Sequence, residues 1–163
     1  MSADTLTTLA TLVGTRLKER GLMLATAESC TGGWVSQALT SISGSSDWFE
    51  RGFVTYSNAA KQEMLGVAPA TLERHGAVSE QTAREMAFGA LSRSRADIAL
   101  AITGVAGPTG GTPDKPVGMV CFAWARKGAP IACSTRQFGG DRDAVRRQSV
   151  IAALQGVLEQ LEP

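Results

Sequence analysis

Leu6, Leu9, Leu12, Val13 and Leu17 recur at the spacing that lines one face of an α-helix, and Gly21 supplies a stop. Leu22 to Ala27 is a mainly apolar run that predicts a buried strand. Trp34, Val35, Ala38, Leu39 and Ile42 return to helical spacing and end near Ser43-Gly44-Ser45-Ser46. Gly52 to Ser57 predicts a second strand. Asn58 then caps a short helix carrying Lys61, Met64 and Leu65, closed by Gly66, and Pro69 to Arg74 gives another helical turn or two. Ser79 caps a longer helix whose apolar face is Ala83, Met86, Ala87, Ala90 and Leu91. Ala96 to Thr103 predicts a central strand, and Val117 to Ala125 with Ile131 to Phe138 a closing strand pair. A final helix opens at Gly139-Gly140-Asp141 and runs to about Leu161.

Single strands separated by helices call for right-handed crossovers and a parallel sheet, to which the closing pair adds antiparallel strands. The expected fold class is α/β: a three-layer α/β/α sandwich with a mixed, mostly parallel five- to six-stranded sheet, as one domain over 1–163. Ligands of such sheets gather at the carboxyl ends of strands. Ser29, Tyr56, Thr103 and Asp141 all fall at or just past predicted strand ends, so one rim is expected to hold them.

Composition narrows the classes. With 16 basic and 15 acidic residues the net charge is +1, which gives no electrostatic case for nucleic acid or a membrane surface as partner. No apolar run approaches the ~20 residues that span a bilayer. Three scattered cysteines, Cys30, Cys121 and Cys133, fit free thiols in a reducing cytoplasm and argue against a zinc site. Glu28, Asp47, Asp97, Asp114, Asp141 and Asp143 form no metal motif by spacing, so no metal is expected. Trp48 and Phe49 beside Arg51 read either as core or as an exposed apolar contact for a homo-oligomer, a dimer being favoured.

The 18 glycines concentrate at turns where chemistry fits. In Ala27 to Trp34, Ser29 and Cys30 are potential nucleophiles at a strand-to-helix turn, where free N–H groups of Thr31, Gly32 and Gly33 suit an oxyanion. The same octapeptide also reads as a helix cap with a tight glycine turn. A serine nucleophile needs a base. His75 is the only histidine, and a helix-end contact accounts for it. Lys61 is the better base if burial lowers its pKa; otherwise it is a surface lysine. Tyr56, the only tyrosine, either shares a proton network with Ser29 or packs as core. Cys30, Cys121 and Cys133 also read as packed core cysteines.

The loop from Thr103 through Gly104 and Gly107 to Thr112 lacks a P-loop ending and suits either a small ligand or a plain connection. Gly139 to Gln148, with Arg142 and Arg146 one turn apart, suits a phosphate monoester or a surface ion-paired helix.

Taken together these segments resemble the CinA C-terminal domain family. The resembling pieces are Thr-Ala-Glu-Ser-Cys-Thr-Gly-Gly at 26–33, Gly-Ser-Ser-x-Trp-Phe-x-Arg-Gly at 44–52, Val-Thr-Tyr-Ser-Asn at 54–58 with Lys61, and Gly-Ala-Val-Ser at 76–79. Thr-Gly-Val-Ala-Gly-Pro at 103–108, Lys-Pro-Val-Gly at 115–118 and Gly-Asp-Arg-Asp-Ala-Val-Arg-Arg-Gln at 140–148 complete them in order. The resemblance implies a metal- and cofactor-independent amidohydrolase that converts nicotinamide mononucleotide and water to nicotinate mononucleotide and ammonia in pyridine nucleotide salvage. It implies Ser29 as nucleophile with Tyr56 and Lys61 as activating partners, a loop at 103–112 against the ribose and ring, and Arg142 or a neighbour on the phosphate. Larger members carry an N-terminal molybdopterin-binding-like domain; this chain is expected to start directly at the amidase portion.

Overall fold

The computed structural model describes residues 2–162. Its sheet has the strands β1 (Leu24–Glu28), β2 (Phe49–Val54), β3 (Ile98–Gly104), β4 (Met119–Arg126) and β5 (Ala132–Gln137). Their spatial order is β2-β1-β3-β4-β5. β1 is parallel to β2 and to β3, whereas β4 is antiparallel to both β3 and β5. Only β4 therefore runs against the others, and the mixed α/β sandwich expected from the sequence is the fold observed, with five strands.

The helices are α1 (Ser2–Arg20), α2 (Trp34–Thr40), α3 (Asn58–Leu65), α4 (Pro69–His75), α5 (Glu80–Ser92) and α6 (Arg142–Leu161). Alternation along the strands explains how they divide between the two faces. Leu24, Ile98, Leu100, Ile102, Phe122 and Trp124 point to one side, where α1, α2 and α6 cover them. Ala25, Ala27, Ala99, Ala101, Ala123 and Ala125 point to the other, under α3, α4 and α5. The alanine face lets helices lie close. At Gly89 of α5 a β-carbon would stand 2.0 Å from the Leu65 carbonyl oxygen at the end of α3.

Chain direction then locates the site. From β1 the chain crosses one face through α2 to reach β2; from β2 it returns over the opposite face through α3, α4 and α5 to β3. β1 sends its connection outward to β2 and β3 sends its own the other way to β4, so they part at the carboxyl ends of β1 and β3, which is where an open α/β sheet leaves a crevice.

Local signals held with small shifts. Ser57, not Asn58, caps α3, its hydroxyl accepting from the Ala60 N–H. Ser79 caps α5, as its position predicted, and Asp141, where the final helix was expected to open, caps α6. Trp48 is core: it is 4 % exposed and packs where Gly14 of α1 leaves no side chain in its way, so it is not the exposed contact considered above.

Gly89→Ala is expected to cost about 1–3 kcal/mol of stability through overpacking against backbone. Gly139→Ala, which would meet nothing within 4 Å, serves as control and should be near neutral. Urea denaturation of the two variants checks this; equal midpoints would contradict the close packing of α3 on α5.

Candidate active site

β1 ends in Glu28, a fully buried carboxylate. Its Oε1 accepts from Thr31 Oγ1 at 2.7 Å, the Gly33 N–H at 3.2 Å and the Val35 N–H at 2.9 Å. Its Oε2 accepts from the Ser36 N–H at 2.9 Å and Ser36 Oγ at 2.8 Å. Ser36 has spent its proton on Glu28, so Thr26 Oγ1 donates to Ser36 Oγ, at 2.8 Å. Gly52 makes room for this chain, because a β-carbon there would lie 2.6 Å from both hydroxyl oxygens. Glu28 thus caps α2 from outside the helix, in place of Gly33, which sits at the cap position with φ 104 and no side chain. Negative charge at a helix N-terminus is favourable. With Glu28 in that role, Ser29 is not the cap.

Ser29, 8 % exposed, follows at the strand end and donates its N–H to the Ile102 carbonyl of β3. α3, starting just past β2, brings Lys61 back over the same end. The lysine is 1 % exposed, and its Nζ lies 2.9 Å from Ser29 Oγ, 2.9 Å from the Thr55 carbonyl and 3.2 Å from the Tyr56 carbonyl. Burial holds its pKa below the usual lysine value. Carbonyls can only accept, so two N–H bonds of Lys61 are committed to them. A neutral amine then has one position left, its lone pair, and Ser29 Oγ occupies that direction. The same geometry serves the ammonium, which donates to all three. The arrangement can therefore take a proton from Ser29 and hold it.

Cys30, the rival nucleophile, is buried, and that burial pushes its thiol up to about 12. It stays a thiol at neutral pH, and the nucleophile is the thiolate.

The cleft over this pair encloses about 170 Å³ and is lined by Ser29, Tyr56, Lys61, Thr103, Gly104 and Arg142, among others. A neighbouring cavity of about 470 Å³ shares Ala106 and Arg142 with it and includes Asp141. Tyr56 is 63 % exposed; its hydroxyl accepts from Arg142 Nη2 at 3.3 Å, so the ring faces the arginine and only its carbonyl meets Lys61. Arg142 Nη1 donates to the Gly107 carbonyl at 2.8 Å. Thr103 Oγ1 donates to the Ala77 carbonyl at 2.7 Å. Gly104 packs against Val120 too closely for a β-carbon.

The turn differs from expectation. The Thr31 hydroxyl, the Gly32 N–H and the Gly33 N–H are spent inside it, on Glu28, the Ser29 carbonyl and Glu28 respectively. The N–H groups of Cys30 and Thr31 are those without an acceptor among the described residues. Arg146 is directed not to the cleft but to this turn, with Nε 3.1 Å from the Cys30 carbonyl and Nη2 3.0 Å from the Thr31 carbonyl. His75 does not line the cleft; its carbonyl accepts from Lys115 Nζ. Among the described residues no group of three or more His, Cys, Asp or Glu side chains is arranged for a metal, and no helix is long and apolar enough to cross a membrane. Sequence reasoning missed Glu28 and the Thr55 carbonyl. The signal for Glu28 was an acidic residue closing an apolar strand, ahead of a helix that has no capping side chain of its own.

A serine at the carboxyl end of an inner strand, with a buried lysine on its hydroxyl, pairs a candidate nucleophile with a candidate base. The chain belongs to the CinA C-terminal domain family, whose sequence model matches residues 6–161. It is 54% identical over 160 residues to the nicotinamide-nucleotide amidohydrolase PncC of Escherichia coli K12, covering 98% of this chain and 97% of that one. A Pseudomonas putida protein of the same name is 51% identical over 156 residues, covering 96% and 97%. Among solved structures, the competence/damage inducible protein CihA of Agrobacterium tumefaciens superposes with a TM-score of 0.95 at 46% identity, covering 97% of this chain and 96% of that one.

Glu28→Gln places an NH₂ among N–H donors and is expected to cost about 3 kcal/mol, measured by urea denaturation; an unchanged midpoint would contradict the capping role. Cys30 should resist a thiol-reactive disulfide reagent at neutral pH until the chain is unfolded, and rapid labelling of Cys30 in the native protein would contradict its burial.

Proposed function

We propose that this chain is a nicotinamide mononucleotide amidohydrolase, releasing nicotinate mononucleotide and ammonia by serine acyl transfer in pyridine nucleotide salvage. The observation that carries the mechanism is the 2.9 Å contact of Lys61 Nζ with Ser29 Oγ while two carbonyls hold the amine in place. The substrate comes from the activity named for relatives 51–54% identical over nearly the whole chain.

Lys61 takes the Ser29 proton as Oγ attacks the carboxamide carbon. The N–H groups of Cys30 and Thr31 meet the oxyanion. The ammonium of Lys61 returns the proton to the leaving nitrogen, and ammonia departs from an acyl-enzyme. Water then gives a proton to Lys61 and attacks the ester carbon; Ser29 leaves with that proton, and the nicotinate product is free. The pair supplies nucleophile and base by itself, so the reaction calls on no metal or cofactor. A cleft of about 170 Å³ is small for a nucleotide, since ligand pockets usually run from about 300 Å³. In this reading the carboxamide and ring enter the cleft, the ribose phosphate extends past Arg142 into the cavity of about 470 Å³, and Arg142 binds the phosphate. The free cysteines support a cytoplasmic setting.

Ammonia release from nicotinamide mononucleotide tests the proposal. Ser29→Ala and Lys61→Ala should each abolish turnover while keeping a cooperative fold; normal turnover by Ser29→Ala would sink the nucleophile assignment. Only the neutral amine is a base, so kcat/KM should rise with pH through a midpoint below the ordinary lysine pKa. The unfolded chain binds the Lys61 proton up to that ordinary value and the folded chain releases it earlier, so this group makes stability rise with pH between the two. Lys61→Met should remove that slope.

A further inference from the structure

The arginines one turn apart on α6 face different things. Arg142 lines the cleft. Arg146 lies behind the nucleophile turn, its Nε and Nη2 on the successive carbonyls of Cys30 and Thr31. The guanidinium also lies over the Trp34 ring, 5.3 Å from its centroid, which fixes its position against α2.

A trans peptide is planar, and its C=O and N–H point opposite ways. The only cis bond among the described residues is Gly107-Pro108, so the Cys30–Thr31 peptide is trans. Holding the Cys30 carbonyl therefore aims the Thr31 N–H away from the arginine. Of the amides from Ser29 to Gly33, those of Ser29, Gly32 and Gly33 are spent on Ile102, Ser29 and Glu28. The Thr31 N–H has no acceptor among the described residues. A cationic donor on the carbonyl also polarises the peptide and strengthens the N–H on its far side.

We propose that Arg146 is a positioning residue that holds the Cys30–Thr31 peptide so that its N–H meets the negative charge developing on the substrate's carbonyl oxygen. The inference rests on the reading of Ser29 as nucleophile. Arginine is required because Nε and Nη2 form one rigid edge that fits two neighbouring carbonyls, whereas a lysine offers a single point charge.

The test compares wild type, Arg146→Ala and Arg146→Lys for ammonia release from nicotinamide mononucleotide, and for labelling of Ser29 by a fluorophosphonate, which carries no nucleotide. Arg146→Ala should lower kcat on the order of 100-fold, as loss of an oxyanion donor does, with KM and the pH midpoint unchanged. Labelling should slow in parallel, and added guanidinium at non-denaturing concentration should restore part of both rates. Arg146→Lys keeps the charge and covers the case in which the alanine variant fails to fold; it should be nearly as slow. A raised KM with unchanged kcat would overturn the proposal in favour of a substrate-binding arginine, and so would full activity in Arg146→Lys or an unaltered labelling rate. Failure of the underlying reading looks different: the wild-type protein itself would release no ammonia and leave Ser29 unlabelled.

Discussion

The carboxylate of Glu28 fixes where everything else in the site stands. It ends β1, is sealed from solvent, and gathers the first amides of α2 together with two hydroxyls. An ionised group so buried is tolerated only when its lone pairs are filled. Here five donors fill them: two from the turn, Thr31 and Gly33, and three from Val35 and Ser36 that tie the strand to the helix. The turn between them is pinned on its other side by Arg146, so Ser29 stands on a segment held from both directions. Gly32 and Gly33 adopt the left-handed conformation that this tight path needs, with φ 58 and 104.

Lys61 shows what such a frame permits. Burying an amine opposes its charge, and nothing among the described residues offsets this with a carboxylate. The cost falls on stability, and the result is an amine whose lone pair, when neutral, has one direction to go. Thr55 and Tyr56 contribute through their carbonyls, just past the end of β2, while the Thr55 N–H still bonds to the Glu28 carbonyl of β1. Their side chains make no hydrogen bond to the amine among the described residues.

The two faces of the sheet serve the site differently. The bulky face gives most of the apolar burial and anchors α1, α2 and α6. The alanine face admits α5 closely and sets the height at which α3 crosses the strand ends, and so how far Lys61 must reach. Small residues on one face and large ones on the other were present in the strand sequences, but the distance between α3 and the sheet is a property of their packing.

The sequence by itself determined the order of helices and strands, through hydrophobic spacing, and the caps at Ser79 and Asp141, because these are local signals. It also marked Ser29, Lys61, Tyr56 and Arg142 as candidates, since strand ends in an α/β fold are predictable from element order. It left open whether Ser29 capped α2, whether Lys61 was buried or solvated, and whether Trp48 was core or surface. Glu28 took over the cap from close by in the chain, whereas the rest was decided by contacts between residues far apart: α3 folding Lys61 under the rim, Gly14 accepting Trp48, and α6 delivering Arg142 to the cleft and Arg146 to the turn behind it. Spacing fixes which residues share a helix face, but burial and hydrogen-bond partners across such separations exist only once the layers have packed.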